Sequence, residues 1–146
     1  MFLIAFSAPT ALQFPGPGSN IGEDVPTVLI VEDSDAHISR YQIAFSKYGV
    51  ETICVSTVTQ AKHVFQTHHP SFEAIVLDNE VVEDGMRYST FELALWLREN
   101  SYTGLIVAAS GSTEFINKMN RYSLANAHGP KFMAAALTLS LLGIPG

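Results

Sequence analysis

The sequence predicts a single α/β domain in which a parallel sheet of five strands carries helices on both of its faces. Three observations support this prediction. Short apolar runs rich in β-branched residues are typical of strands that are buried on both sides. Segments with apolar residues at helical spacing separate these runs, and capping residues, glycine or proline mark the changes between them. Because right-handed crossovers join parallel strands, the carboxyl ends of all five strands meet at one edge of the sheet.

The first half of the domain contains two strands and two helices. Val28–Val31 is an uninterrupted apolar strand, and the acidic and hydroxyl side chains of residues 32–35 can cap the helix that follows. That helix carries apolar residues at helical spacing, namely Ile38, Tyr41, Phe45 and Tyr48. Gly49 ends it, and Val50–Val55 is predicted as the second strand. The second helix is marked by Val58, Ala61, Val64 and Phe65, and it ends before Pro70.

The second half repeats the alternation. The remaining strands are predicted at Ala74–Leu77, at Leu105–Ala109 and, as a short element, within Ser123–Lys131. The remaining helices are predicted at Phe91–Arg98, Phe115–Tyr122 and Phe132–Leu142. The polar stretch Glu80–Thr90, between the third strand and the third helix, is predicted to be a loop.

The N-terminal residues differ in composition from the rest of the chain. Residues 1–26 contain four prolines and three glycines, which predicts an irregular extension ahead of a domain that spans 27–146. The chain starts with six apolar residues, but no lysine or arginine precedes Arg40, so the positive flank of a signal peptide is missing. Cys54 is the only cysteine, which excludes an intramolecular disulfide. We therefore expect a cytoplasmic protein.

The charge and hydropathy of the chain argue against two classes of partner. The formal net charge is -6, and the 8 lysine and arginine residues are scattered along the sequence. Nucleic-acid phosphates and anionic membranes are both bound by clustered basic side chains. No apolar run approaches the roughly 20 residues that a membrane span requires. We expect neither nucleic-acid binding nor membrane insertion.

Five polar residues fall at the carboxyl ends of the predicted strands, where open α/β sheets bind their ligands. They are Glu32, Asp33, Asp78, Ser110 and Lys131. Three carboxylates in one place resist ionisation unless a cation lies among them, and Mg²⁺ prefers such oxygen ligands. Asp78 can then attack phosphorus and form an acyl phosphate. Mg²⁺, Lys131 and Ser110 can each neutralise one phosphoryl oxygen.

Four segments that carry these residues resemble the motifs of response-regulator receiver domains, the CheY-like superfamily of two-component signalling. The segments are Val28-Leu29-Ile30-Val31-Glu32-Asp33, Ile75-Val76-Leu77-Asp78, Ile106-Val107-Ala108-Ala109-Ser110-Gly111 and Pro130-Lys131. They occur in the order of the family and at compatible spacings, over about residues 27–142. The resemblance implies a flavodoxin-like sheet of strand order 2-1-3-4-5 flanked by about five helices.

The resemblance also implies a role for each site residue. Asp78 would be the phosphorylated residue, and Glu32 and Asp33 would be the acidic pair that binds Mg²⁺ together with Asp78. The backbone carbonyl of Glu80 would be a further metal ligand. Ser110 would hydrogen-bond the phosphoryl group and move on activation, and Lys131 would form an ion pair with it. His128, three residues before Lys131, would occupy the position of the aromatic or histidine residue that rotates inward with the switch.

Three departures from the family pattern indicate a divergent member. Val82 stands where receivers usually have proline, four residues after the phosphoacceptor. Phe132 stands where a cis-proline usually follows the lysine. Since a cis bond without proline costs roughly 3 kcal/mol, we expect a trans bond and some change in the direction of Lys131. Gly85 falls one residue early for the glycine of the usual loop.

The function implied by the resemblance is a receiver that accepts a phosphoryl group from a histidine kinase or a histidine phosphotransfer protein. It would then change its interaction surface toward a downstream protein, and a homodimer is compatible with such a change. Apart from its own phosphorylation and dephosphorylation, it would not be an enzyme. One alternative is a degenerate pseudo-receiver that binds proteins independently of phosphorylation. Another is a haloacid-dehalogenase-like phosphatase, which has a second aspartate where this chain has Glu80.

Two other groups of side chains invite a functional interpretation. His63, His68 and His69 fall at the end of one helix, with no cysteine or carboxylate at ligand spacing, so we interpret them as a surface cluster. Cys54 lies in an apolar strand, and we interpret it as a buried small hydrophobic residue.

Overall fold

The computed structural model describes residues 25–68 and 71–144, which form seven strands and five helices. The strands are β1 (Thr27–Val31), β2 (Glu51–Val55), β3 (Ala74–Asp78), β4 (Glu80–Glu83), β5 (Met86–Ser89), β6 (Leu105–Ala109) and β7 (Ala127–Gly129). The helices are α1 (Asp35–Ser46), α2 (Val58–His68), α3 (Thr90–Glu99), α4 (Thr113–Arg121) and α5 (Lys131–Leu141).

Five of the strands form one parallel sheet with the order β2-β1-β3-β6-β7. With β4 and β5 set aside, this order is 2-1-3-4-5, so the predicted doubly wound fold is confirmed. The order reverses between β1 and β3, and the two strands pair from Val28 with Ala74 to Val31 with Leu77. The carboxyl ends of β1 and β3 therefore lie side by side, at the point where such sheets bind ligands.

Alternate residues of the strands enter two separate apolar cores. Leu29 and Val31 of β1 pack on the face covered by α2, α3 and α4. Val28 and Ile30 pack on the opposite face, which α1 and α5 cover. Burial on both faces explains why the strands are continuous apolar runs, because neither side of the sheet meets water. No helix within the described ranges is long and apolar enough to cross a membrane.

The stretch predicted to be a loop contains an antiparallel hairpin, and this is the main correction to the sequence analysis. β4 and β5 pair from Glu80 with Ser89 to Glu83 with Met86. Asp84 and Gly85 join them, both with positive φ, at 53° and 76°. This geometry is typical of the two-residue type I′ turn, which favours Asp-Gly. Gly85 therefore belongs to a hairpin turn, and the prediction of a loop over Glu80–Thr90 was wrong.

The bounds of the other elements differ from the prediction by small shifts. α5 begins at Lys131, one residue before the predicted start, and α3 begins at Thr90. The short fifth strand of the sheet, β7, lies within the predicted window. Of the predicted N-terminal extension, residues 1–24 lie outside the described residues, so its irregular form stays a prediction.

A close approach at Gly104 fixes the loop that precedes β6. The Tyr102 side chain is buried beneath this loop, and its hydroxyl donates to the carbonyl of Phe72 at 3.2 Å or of Leu105 at 3.1 Å. A Cβ at position 104 would lie 2.6 Å from Cζ of the Tyr102 ring. Only glycine leaves room for this packing.

We expect Gly104→Ala to lower the free energy of unfolding by about 1–3 kcal/mol, because the added methyl group must displace a buried ring. Gly111→Ala is the matched control, since a Cβ at position 111 meets nothing within 4 Å. Urea unfolding of both variants measures the difference. Equal stability of the two variants would contradict the packing described for Tyr102.

Candidate metal centre

The fold brings the predicted carboxylates together at the carboxyl ends of β1 and β3. Glu32 and Asp33 follow β1, and Asp78 is the last residue of β3. Each of the three offers a carboxylate oxygen, and these oxygens all lie within 4.8 Å of one another. The described residues contain no other such group of potential metal ligands. In particular, His63 and His68 form none, and His69 lies outside the described residues.

Lys131 reaches the same place from the start of α5. Its Nζ lies 3.1 Å from Oδ1 of Asp78 and 3.4 Å from Oε1 of Glu32. The described residues contain no cis peptide bond, so the bond between Lys131 and Phe132 is trans, as expected. Lys131 therefore forms its ion pair with Asp78 although Phe132, and not proline, follows it.

Each carboxylate is also held by a backbone amide. The N–H of Ser34 donates to Oε2 of Glu32 at 3.1 Å, and that of Asn79 donates to Oδ1 of Asp78 at 2.7 Å. The N–H of Val82, in β4, donates to Oδ2 of Asp33 at 2.9 Å. These bonds fix the directions of all three side chains, and backbone amides favour the charged form of a carboxylate.

Burial opposes the charged form. Glu32 is only 1% exposed and Asp78 only 7%, whereas Asp33 is exposed. Burial and the neighbouring charge of Asp78 raise the pKa of Glu32 to about 7. Burial, with a contribution from Asp33, also raises the pKa of Asp78. Burial alone would lower the pKa of Lys131, but its hydrogen bond to Asp78 and the two carboxylate charges outweigh this and raise it.

The donor set fits a hard divalent cation. Every ligand atom is a carboxylate oxygen, and Mg²⁺ selects oxygen ligands. Oε1 of Glu32 is buried and accepts no hydrogen bond from the described residues, because its contact with Lys131 is an ion pair without hydrogen-bond geometry. A buried acceptor of this kind is costly unless a cation or a donor satisfies it. Glu32, Asp33 and Asp78 could therefore hold Mg²⁺.

The hairpin sets the position of Glu80. The N–H of Thr90 donates to the carbonyl of Asn79 at 2.9 Å, so residues 79 and 90 form a hydrogen-bonded pair. Antiparallel pairs alternate, so Glu80 and Val82 direct their backbone groups away from β5. The Glu80 carbonyl thus shares an edge of β4 with the Val82 N–H that contacts Asp33. This placement suits a metal ligand, and that role of the carbonyl stays a prediction. The Glu80 side chain pairs instead with Arg87 at 3.1 Å.

Ser110 directly follows β6 and His128 lies in β7, on the side of Asp78 opposite β1. Asp78 pairs in register with Ala109, the last residue of β6, and Ser110 directly follows it. Its hydroxyl accepts a hydrogen bond from the N–H of Ser112 at 2.9 Å. His128 pairs with Ala108 but is exposed. The structure therefore places Ser110 beside the site and His128 at the surface, and the switching roles of both residues stay predictions.

Thr90 is a residue of the site that the sequence analysis missed. It is fully buried, and its hydroxyl donates to the backbone carbonyl of Asp78. It thereby joins the first residue of α3 to the last residue of β3, across the base of the hairpin. Ser89 caps α3, because its side chain accepts a hydrogen bond from the N–H of Phe91.

Comparison with known proteins gives a match at the level of structure. No protein-family model and no curated protein matches the sequence. The receiver domain (CheY-like) from Methylobacillus flagellatus superposes with a TM-score of 0.69 at 23% identity, covering 82% of this chain and 98% of that one. A response regulator receiver domain protein from Clostridium thermocellum superposes with a TM-score of 0.68 at 13% identity, and the match covers 81% of this chain and 92% of that one. This chain has the receiver fold.

A third similar structure is that of a protein with Mg²⁺ bound. The response regulator protein TrrA from Thermotoga maritima, solved in complex with Mg²⁺-BeF, gives a TM-score of 0.67 at 16% identity. The match covers 81% of this chain and 97% of that one. The low identities of all three agree with a divergent sequence on a receiver fold.

We expect the metal-free protein to lose stability as the pH rises from about 5 to 7. The pKa of Glu32 is about 7 in the fold against an ordinary value of 4.5 for this side chain, so in this interval the folded state holds a proton that the unfolded chain has lost. Linkage then gives a decrease of about 1 kcal/mol per pH unit for one such proton. Urea unfolding in the presence of EDTA, repeated across this pH range, measures the free energy of unfolding. Glu32→Gln should flatten the slope, and an unchanged slope in that variant would contradict the assignment.

We also expect the hairpin to support metal binding through Glu83. Its carboxylate accepts hydrogen bonds from the N–H of Thr59, at 3.3 Å, and from the Thr59 hydroxyl, so it ties the hairpin to α2. Glu83→Ala should weaken Mg²⁺ binding roughly fivefold, because the neighbouring Val82 amide would hold Asp33 less firmly. Titration calorimetry measures the affinity. Asp84→Asn is the control, because it removes a negative charge from the adjacent residue and leaves the contact with Thr59 in place. An equal loss of Mg²⁺ affinity in this variant would show that the negative charge, and not the contact with α2, supports binding.

Proposed function

We propose that this chain is a phosphoacceptor receiver of a two-component system or phosphorelay, with Asp78 as the residue that is phosphorylated. The observation that carries the proposal is the ion pair between Lys131 and Asp78, at 3.1 Å, within a cluster of three carboxylates. A lysine held against an aspartate at a strand end, beside a suitable cation site, provides a nucleophile and two positive charges for phosphoryl transfer.

The chemistry would proceed by in-line displacement. A carboxylate oxygen of Asp78 forms a bond to phosphorus while the bond from phosphorus to the donor histidine nitrogen breaks, and the imidazole leaves with the electron pair of that bond. Bound Mg²⁺ would supply positive charge for the phosphoryl oxygens. Glu32 and Asp33 would hold the cation, and Lys131 would neutralise a second phosphoryl oxygen. The Ser110 hydroxyl would donate to a third oxygen, since the hydrogen bond that it accepts from the N–H of Ser112 leaves its own proton free.

The raised pKa of Asp78 affects this step directly. A carboxylate must be deprotonated to attack phosphorus, and burial works against that form. The Asn79 amide and the Lys131 ammonium both contact Oδ1 and stabilise the charge. The second oxygen, Oδ2, is then available for the metal or for phosphorus.

The partners follow from this proposal. The donor would be a histidine kinase or a histidine phosphotransfer protein in the cytoplasm, and the output would be a changed surface that a downstream protein or a second copy of the chain recognises. The domain would have no enzymatic activity beyond its own phosphorylation and dephosphorylation. A phosphatase is disfavoured because the Glu80 side chain, at the position of the required second acid, is paired with Arg87.

A pseudo-receiver is the second candidate, and the two missing prolines favour it. Val82 and Phe132 replace residues that shape the loops around the phosphorylated aspartate in the family. In such a protein the acidic cluster would persist as a structural remnant, and protein binding would not depend on Asp78.

Intact-protein mass spectrometry after incubation with acetyl phosphate and Mg²⁺ tests the proposal. We expect the wild type to gain one phosphoryl group that hydroxylamine removes, and Asp78→Asn to gain none. Melting in Mg²⁺ with fluoroberyllate gives a second readout that needs no phosphodonor. A stabilised wild type beside an unaffected Asp78→Asn would support the receiver. Absence of both the adduct and the stabilisation would overturn it in favour of the pseudo-receiver.

A further inference from the structure

Thr90, the first residue of α3, holds the backbone at the end of β3. Its hydroxyl donates to the carbonyl of Asp78 and lies 3.2 Å from the carbonyl of Asn79. Its N–H donates to the same Asn79 carbonyl at 2.9 Å. Thr90 is fully buried, so water does not compete for these bonds. One residue thus fixes the carbonyls of the proposed phosphoacceptor and of the residue that follows it.

α3 does not need the Thr90 hydroxyl in order to begin, because Ser89 caps the helix. Threonine hydroxyls within helices commonly bond to a carbonyl one turn earlier, and the buried Thr138 does so, donating to Ala134 at 2.7 Å. Thr90 has no earlier turn of helix to bond to, and its hydroxyl reaches the strand instead. The bond therefore serves the end of β3.

The peptide group between Asp78 and Asn79 transmits the effect of Thr90 to the Asp78 side chain. This peptide bond is trans, because the described residues contain no cis peptide bond. In a planar trans peptide group the carbonyl and the N–H point in opposite directions. Thr90 holds the carbonyl, and on the opposite side the Asn79 N–H donates to Oδ1 of Asp78 at 2.7 Å. A rotation of this peptide group would weaken both bonds at once.

The Asn79 amide and Lys131 together set the orientation of the Asp78 carboxylate. Nζ of Lys131 lies 3.1 Å from Oδ1, the oxygen that the amide also contacts. Two donors on Oδ1 leave Oδ2 for the attack on phosphorus. Such an attack requires an aligned oxygen, and small misplacements of a reacting group slow a reaction steeply. Because the lysine side chain is long and partly exposed, the backbone amide is the more rigid of the two donors.

We propose that Thr90 is a positioning residue for the phosphorylation of Asp78. Its hydroxyl holds the peptide group after Asp78, and that group holds the carboxylate with Oδ2 directed at phosphorus. Thr90 acts only through this backbone, because its hydroxyl is bonded to carbonyls and not to a carboxylate. The proposal rests on the receiver function proposed above.

The rate of phosphorylation by acetyl phosphate in saturating Mg²⁺ tests this role. Oδ2 of Asp78 forms a bond to phosphorus while the bond from phosphorus to the acetate oxygen breaks, and acetate leaves with that electron pair. Thr90→Val preserves the shape of the side chain and removes the hydroxyl. We expect it to slow the gain of the phosphoryl group about tenfold, because the carboxylate is then less well aligned. Thr90→Ser keeps the hydroxyl and should react as fast as the wild type.

Thr138→Val is the matched control. It also removes a fully buried hydroxyl that donates to a backbone carbonyl, but in the second half of α5. We expect a wild-type rate in this variant even though its urea midpoint falls. Thr90→Ser should likewise lower the urea midpoint, since it deletes a buried methyl group, and yet keep its rate. Thr90→Ala, which also lacks the hydroxyl, takes the place of Thr90→Val if that variant does not fold.

Hydrogen exchange of the Asn79 amide, followed by NMR in EDTA, gives a readout that needs neither metal nor phosphodonor. We expect this amide to exchange faster in Thr90→Val than in the wild type, because the peptide group has lost the bond on its carbonyl side. Thr90→Ser and Thr138→Val should leave the exchange rate unchanged.

Three results would overturn the role of Thr90 alone. They are a wild-type phosphorylation rate in Thr90→Val, an equal loss of rate in Thr90→Val and Thr138→Val, and unchanged exchange of the Asn79 amide in Thr90→Val. A wild type that gains no phosphoryl group would overturn the receiver function, and the positioning role would fall with it. The failure of the two proposals can therefore be told apart by whether the wild type is phosphorylated.

Discussion

Repulsion among three carboxylates at one edge of the sheet is the constraint on which the site depends. Glu32, Asp33 and Asp78 have oxygens within 4.8 Å of one another, and two of the three side chains are buried. Lys131 supplies the positive charge that makes this arrangement tolerable in the metal-free fold, and it is only partly exposed itself. Its own pKa is raised by the same contacts, so lysine and carboxylates stabilise one another's charged forms.

The position of Lys131 follows from the contacts of β7, a strand of only three residues. The N–H of Ser110 donates to the carbonyl of Gly129 at 2.8 Å, and Oδ1 of Asn126 accepts from the N–H of Ile106 at 2.8 Å. The Arg98 guanidinium donates to the same Asn126 oxygen and to the carbonyl of Leu124. β7 is thus held at both ends, by the bond from Ser110 after β6 and by the contacts of Asn126 before β7. The hydrogen bond to Gly129 fixes the backbone just before Lys131. The ion pair with Asp78 can therefore form although the peptide bond after Lys131 is trans.

The sequence predicts most of the sheet because burial on both faces leaves a pattern that needs no tertiary information. Val28–Val31 and Ala74–Leu77 can enter two apolar cores only as strands, and once their order is known Glu32 and Asp78 must meet. The hairpin was missed although Asp84-Gly85 is a strong signal for it, because its short strands are mostly exposed and lack a clear apolar alternation. The role of Thr90 was beyond prediction, since its bond to the Asp78 carbonyl depends on how α3 approaches β3. The burial of the Tyr41 hydroxyl without a hydrogen-bond partner among the described residues likewise follows from packing, because its helical spacing predicts only a core residue.

Lys131 couples the two buried carboxylates of the site to each other. Its Nζ lies 3.1 Å from Oδ1 of Asp78 and 3.4 Å from Oε1 of Glu32, so both carboxylates attract the same ammonium. A change of charge at one of them therefore changes how strongly the ammonium stabilises the other. Thermodynamic linkage makes this coupling reciprocal, so the protonation of Glu32 and the charge at Asp78 influence each other through one side chain.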